Sequence, residues 1–121
     1  MDIQNIDRVA PFITKDGAEI RELLAYRNSC IRNQTLAEAR LPPGCTTALH
    51  HHIQTEEIYY VLEGQGVMYL GDETRPVAPG DAIAIPPGAR HRISNTGLGV
   101  LRFLCCCAPS YEHEDTVLHS P

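Results

Sequence analysis

Residues 48–64, ALHHHIQTEEIYYVLEG, set three consecutive histidines and two consecutive glutamates inside a segment that otherwise reads as β-sheet. Side chains alternate faces along a strand, so His50 and His52 share one side while His51 takes the other. After a short connection, IQTE, the next strand places Glu57, Tyr59 and Val61 on one face and Glu56, Ile58, Tyr60 and Leu62 on the opposite one. Only one of the two glutamates can meet His50 and His52. A further imidazole, His91, follows the Pro-Pro-Gly turn in IPPGARHRIS and shares its face with Ile93. Three imidazoles and one carboxylate form a donor set suited to a borderline-hard metal ion.

Outward from this stretch, between Gly17 and Gly99, short runs rich in Val, Ile, Leu, Tyr and Thr are cut every eight to twelve residues by Gly, Pro or Asp. That is the pattern of an all-β sandwich or barrel. No helical period of useful length interrupts it. A chain of 121 residues suits one domain. It can bury about 65% of its unfolded surface, enough for a core without disulfide staples. Residues 17–107 are expected to form the barrel. Residues 1–16 and 108–121 are polar and weakly patterned, and read as an N-terminal arm and a C-terminal tail without a core of their own.

Composition narrows the partners. Ten basic against fifteen acidic residues give a formal charge of −5 with no Lys/Arg cluster, so no nucleic-acid partner is expected. The opening MDIQNIDRVAPFI has neither a basic flank nor a sustained apolar run, so neither a signal peptide nor a membrane span is expected. The five cysteines are odd in number, and adjacent Cys105, Cys106 and Cys107 cannot pair internally without strain. A reducing, cytoplasmic setting follows as the expectation. The cysteine run is read as core packing, with one or two of its thiols able to reach an inner cavity. Ile58, Tyr60 and Leu62 are apolar on the face turned away from Glu57, so a partner surface is expected to cover them, most simply in a homodimer with twofold symmetry.

Two longer spacings carry a family resemblance. Gly44, five residues, His50, one residue, His52, four residues, Glu57, six residues and Gly64 match the first cupin motif, G(X)5HXH(X)4E(X)6G, at every fixed position. Gly80, five residues, Pro86, one residue, Gly88, two residues, His91, three residues and Asn95 match the second, G(X)5PXG(X)2H(X)3N. The chain resembles the small single-domain cupins, of the cupin 2 type. The resemblance implies a double-stranded β-helix, or jelly-roll barrel. It also implies one divalent transition metal per chain (Fe, Mn, Ni, Cu or Zn) on His50, His52, Glu57 and His91. The six-residue distance to Gly64 selects Glu57 over Glu56, as strand alternation does. Gly44, Gly64, Gly80 and Gly88 are expected at turns that favour positive φ. Asn95 is read as a turn brace. His51 becomes an exposed neighbour of the site, and His113 and His119 solvated tail groups.

Such a centre would carry a charge of about +1 and leave one or two positions for water or a small-molecule ligand. Tyr59 shares the face of Glu57 and is the candidate catalytic hydrogen-bond donor, with an apolar wall whose hydroxyl is satisfied as the alternative. The tail, with Tyr111, Glu112 and Asp115, is read either as folding over the barrel rim or as a disordered end. Three functions stay open. One is oxygenase-like chemistry on a small anionic or enolisable molecule, another an isomerase or lyase working through a metal-bound enolate, and the third a non-catalytic ligand-binding barrel.

Overall fold

The computed structural model describes residues 1–120. Eleven strands run β1 Phe12–Ile13, β2 Glu19–Leu24, β3 Thr35–Leu41, β4 His50–His52, β5 Glu56–Glu63, β6 Gly66–Leu70, β7 Glu73–Val77, β8 Ala82–Ile85, β9 His91–Asn95, β10 Leu101–Ala108 and β11 Thr116–Leu118. They pair into a six-stranded sheet, β1-β2-β3-β10-β5-β8, and a five-stranded sheet, β11-β4-β9-β6-β7, antiparallel throughout. The fold is the all-β jelly roll expected from the sequence. Among the described residues no helix is long and apolar enough to cross a membrane.

Alternation along β5 decides what the barrel encloses. Glu57, Tyr59 and Val61 are buried between the sheets, whereas Ile58, Tyr60 and Leu62 stay 50%, 41% and 37% exposed on the outside. Val61, Met68, Ile93, Leu101 and Phe103 form the centre of the apolar core. β10 lies between β3 and β5, with Cys105 opposite Tyr59 and Cys107 opposite Glu57. A slip of one residue would turn both thiols and Phe103 outward, so burial of one face fixes this register. Cys106 takes the outer face. Also outward on β3, Glu38 is covered by Arg40 and Arg102, whose guanidinium groups donate to its carboxylate. Burial would raise that carboxyl, but the two arginines hold it below its ordinary value.

The chain ends differ from the reading made on sequence. Phe12 and Ile13 pair with Ile20 and Glu19, so the arm folds back on its own barrel. Thr116–Leu118, placed outside the barrel by their weak patterning, form the edge strand of the second sheet against His50–His52. Three residues are too few for alternation to show in a sequence, and this strand is held by backbone pairing and by its neighbour Asp115. The Asp115 carboxylate accepts from the backbone N–H groups of Gln54 and Thr55 at 3.0 and 3.1 Å.

The turn residues behave as expected. Gly44, Gly64, Gly80 and Gly88 all have positive φ. Asn95 braces the approach to β10: its Nδ2 donates to Leu41 O and Gly99 O, both at 2.8 Å, and its Oδ1 accepts from Gly97 N at 2.9 Å. Gly64 carries a double constraint. At φ 91° a Cβ there would stand 2.5 Å from Val100 O, with backbone atoms that cannot swing away. Gly71, at φ 57°, faces open space. Gly64→Ala should therefore cost more than about 2 kcal/mol, and Gly71→Ala about 1 kcal/mol, in urea unfolding at 25 °C. Equal losses at the two sites would contradict the close approach.

Candidate metal centre

Strand registers bring the site together. His50 stands opposite His91 across β4 and β9, Thr116 opposite His52 across β11 and β4, and Cys107 opposite Glu57 across β10 and β5. The histidines come from one sheet and the glutamate from the other, so the site spans the interior of the barrel. His50, His52 and His91 are buried, and each offers a ring nitrogen within 4.8 Å of the others. Their ring centroids are 4.1 Å apart for His50 and His91, 5.2 Å for His50 and His52, and 5.6 Å for His52 and His91.

Each ring is oriented through Nδ1. His50 Nδ1 donates to Ala48 O at 2.7 Å, and His91 Nδ1 to Ala89 O at 2.9 Å. Both histidines open a strand, so the carbonyl two residues earlier lies outside the ladder and is free to accept. His52 closes its strand and takes another partner, Thr116 Oγ1 at 3.1 Å. That hydroxyl spends its own proton on Glu112 O, at 3.2 Å, which leaves it a lone pair for His52. With all three Nδ1 positions donating, the Nε2 atoms of the neutral rings carry lone pairs, the tautomer a metal requires.

Glu57 faces the three histidines from the other sheet. Cys107 Sγ donates to its Oε2 at 3.3 Å, while Oε1 lies 3.2 Å from His52 Nε2 and 3.4 Å from His91 Nε2. Neither imidazole contact is aligned as a hydrogen bond: Glu57 Oε1 and His91 Nε2 are both buried without a partner. Two orphaned polar atoms facing the same point fit a cation, not a closed hydrogen-bond network. Burial would raise the Glu57 carboxyl, but the adjacent His52 and His91 hold it down to about 2. Burial would lower His52, yet Glu57 raises it above the ordinary imidazole value. His50 is lowered by burial and by His91 beside it.

The cavity around these groups has a volume of ≈ 40 Å³, room for about three waters. Its apolar walls include Ile20, Ala37, Ala39, Phe103 and Cys105. Tyr59 is 3% exposed, lies edge-on to His91 with centroids 6.0 Å apart, and lines the cavity. Burial, then the nearby Glu57, push its hydroxyl well up, so it stays a donor. Cys105 and Cys107 both face inward, and Cys107 goes beyond core packing because it holds Glu57. Glu56 and His51 point away; His51 meets His119 ring to ring, with Nδ1 2.6 Å from His119 Nε2, so the tail histidine is not simply solvated.

Two residues escaped sequence reasoning. Thr116 supports His52 from a tail that was read only as a possible cover. Asp16, in the turn between β1 and β2, brings Oδ2 within 3.5 Å of His50 Nε2. The only sequence signal for Asp16 is the DG pair at residues 16–17, which marks a turn without saying where it docks.

Comparison with known proteins agrees with the fold. Residues 37–107 match the Cupin domain family model. The chain is 51% identical over 110 residues to the uncharacterised protein MJ1618 of Methanocaldococcus jannaschii, covering 91% of this chain and 88% of that one. It is 36% identical over 90 residues to an oxalate-binding protein of Thermotoga maritima, covering 74% of each. Among solved structures, the polyketide cyclase RemF from Streptomyces resistomycificus superposes with a TM-score of 0.84 at 28% identity, over 100% of this chain and 87% of RemF. The barrel and its three-histidine cluster thus have the company their motifs suggest: the chain belongs to the cupin family.

The thiol–carboxylate contact gives a direct check on this geometry. Cys107→Ala removes the donor to Glu57 Oε2 and should destabilise the protein by about 1–3 kcal/mol. Cys107→Ser keeps a donor and should recover most of that loss in thermal and urea unfolding. Equal destabilisation by Ala and Ser would show that the thiol acts by packing alone.

Proposed function

We propose that the chain holds one divalent transition metal on His50, His52, Glu57 and His91 and presents it to a small, oxygen-chelating, enolisable molecule. The observation that carries this reading is the pair of buried orphans, Glu57 Oε1 and His91 Nε2. Left unpaired, each would cost roughly 1–3 kcal/mol. When bound, the ion would supply Lewis-acid polarisation of a ligand carbonyl or enolate oxygen. The chain's residues do the rest. Ala48, Ala89 and Thr116 fix the imidazoles, Cys107 turns Glu57, the apolar walls exclude water, and Tyr59 donates a hydrogen bond to the ligand.

The relatives help to rank the chemistry. Cyclisation of a polyketide proceeds through enolisable carbonyl groups, so the name of RemF supports enolate chemistry of the isomerase or lyase kind over the oxygenase reading. The oxalate-binding relative favours a second reading, retention of a chelating ligand without turnover. Five free thiols suit a reducing, cytoplasmic compartment.

Elemental analysis of the purified protein should find one transition metal per chain. His52→Ala and His91→Ala should lose it, while His51→Ala and Glu56→Ala should keep it. Thr116→Val should weaken metal affinity by about 10- to 100-fold through the loss of ring orientation. Full occupancy in His52→Ala, or loss only in Glu56→Ala, would overturn the ligand assignment. Turnover is tested by loading metal-free protein with each candidate ion and screening diketones, keto-acids and sugar acids for isomerised or cleaved product.

We also infer a homodimer. Ile58, Tyr60 and Leu62 stand exposed on the outer face of β5, beside the half-buried Leu104 and exposed Ala82 and Ala84 of the neighbouring strands. One continuous apolar sheet face is self-complementary under a twofold axis. Light scattering at micromolar concentration should give twice the chain mass of 13.4 kDa. Tyr60→Lys should shift the protein toward monomer, and a monomeric wild type would refute this interface.

A further inference from the structure

The cavity is asymmetric in charge. Asp16, Glu22 and Glu57 line it, and among the described residues no lysine or arginine does. A site built for a dicarboxylate would normally set a guanidinium or ammonium group against the far carboxylate. Here the wall beside His50 offers Asp16.

Asp16 is held for that position. Its backbone carbonyl accepts from Ala48 N at 2.8 Å, and Ala48 O in turn orients His50, so turn and ligand are tied to one residue. Thr14 Oγ1 donates to Asp16 Oδ1, and Ala18 N approaches the same oxygen at 3.5 Å. Oδ2 is left for the cavity, 3.5 Å from His50 Nε2, on a side chain only 12% exposed. Glu57 approaches His52 and His91 while Asp16 approaches His50, so two carboxylates flank the histidine cluster. Another unpaired group lines the same cavity. The Tyr111 hydroxyl is buried with no hydrogen-bond partner. Both residues lie outside the segment 37–107 that matches the family model.

We propose that Asp16 is the specificity-determining residue of this centre. Its free oxygen accepts a hydrogen bond from the hydroxyl of a neutral, oxygen-chelating ligand of the hydroxyketone class, and its charge repels dicarboxylates. Tyr111 donates to an acceptor on the same ligand. The inference rests on the metal reading above and narrows it, since it separates this chain from an oxalate binder. Two carboxylates cancel the charge of a divalent ion where one would leave it positive, so the attraction for an anion is removed and a like charge faces it. Discrimination by a repulsive group needs no change in the metal ligands.

The test uses two bidentate oxygen chelators of opposite character, maltol, a hydroxyketone that arrives neutral and passes its hydroxyl proton toward the Asp16 oxygen as it chelates, and oxalate, a dianion. Wild type, Asp16→Asn, Asp16→Ser and Tyr111→Phe are loaded with one equivalent of Zn(II), their zinc content is measured, and both chelators are titrated by calorimetry at neutral pH. Wild type should prefer maltol. Both Asp16 variants should retain zinc, bind oxalate at least tenfold more tightly and bind maltol severalfold more weakly. Tyr111→Phe should weaken maltol severalfold. Zinc retained with oxalate affinity within twofold of wild type in both Asp16 variants would overturn the proposal. So would loss of zinc in both, which would make Asp16 a ligand or a structural brace. A wild type that takes up no zinc would instead defeat the metal reading itself.

Discussion

The fixing of three imidazoles through Nδ1 is the constraint on which the site depends. A histidine presents a lone pair inward only if its other nitrogen has an acceptor, and a buried barrel strand has few carbonyls to spare because the ladder uses them. His50 and His91 solve this by opening their strands, where Ala48 O and Ala89 O lie just outside the ladder. His52, at the end of its strand, requires Thr116 from a remote segment. The two cupin motifs thus do more than supply histidines, since their turns place two of them at strand starts. The tail supplies the third acceptor, which makes Thr116 part of the site.

The glutamate faces a different problem. A carboxylate buried to this depth pays a desolvation cost that only positive charge or donors can offset. Cys107 gives one donor to Oε2, and the imidazoles beside Oε1 favour the ionised form only when they carry a proton toward it. Oε1 still lacks a hydrogen bond, and this unmet demand connects the geometry to a cation. The buried cysteines suit their place: a thiol is small and apolar enough for the wall and still a weak donor where the carboxylate needs one.

The two faces of β5 divide the protein's tasks. Inward, Glu57 and Tyr59 serve the cavity; outward, Ile58, Tyr60 and Leu62 form an uncovered apolar face. The same strict alternation joins ligand chemistry to the surface proposed for self-association, because a register shift that spoiled one would spoil the other. Around this fixed frame, Thr14 and Asp16 of the first turn and Tyr111 and Thr116 of the tail line the cavity, and Lys15 ties turn and tail together by donating to Thr116 O at 3.0 Å. Such peripheral segments can change without disturbing the barrel, which makes them suitable places for ligand selectivity.

Much of this was present in the sequence because it depends on short-range periodicity. Alternation put His50 and His52 on one face, separated Glu57 from Glu56 and turned Ile58, Tyr60 and Leu62 outward. The glycine and proline spacing marked the turns, including those with positive φ at Gly44, Gly64, Gly80 and Gly88. Asn95 was legible as a brace because its motif sits at a turn. What the sequence could not contain was the pairing of residues far apart along the chain. Thr116 meets His52 across sixty-four positions, Cys107 meets Glu57 across fifty, and Asp16 reaches His50 through a turn that docks on Ala48. No local pattern encodes these meetings. They follow from sheet order and register, which are settled only when both layers close on one core.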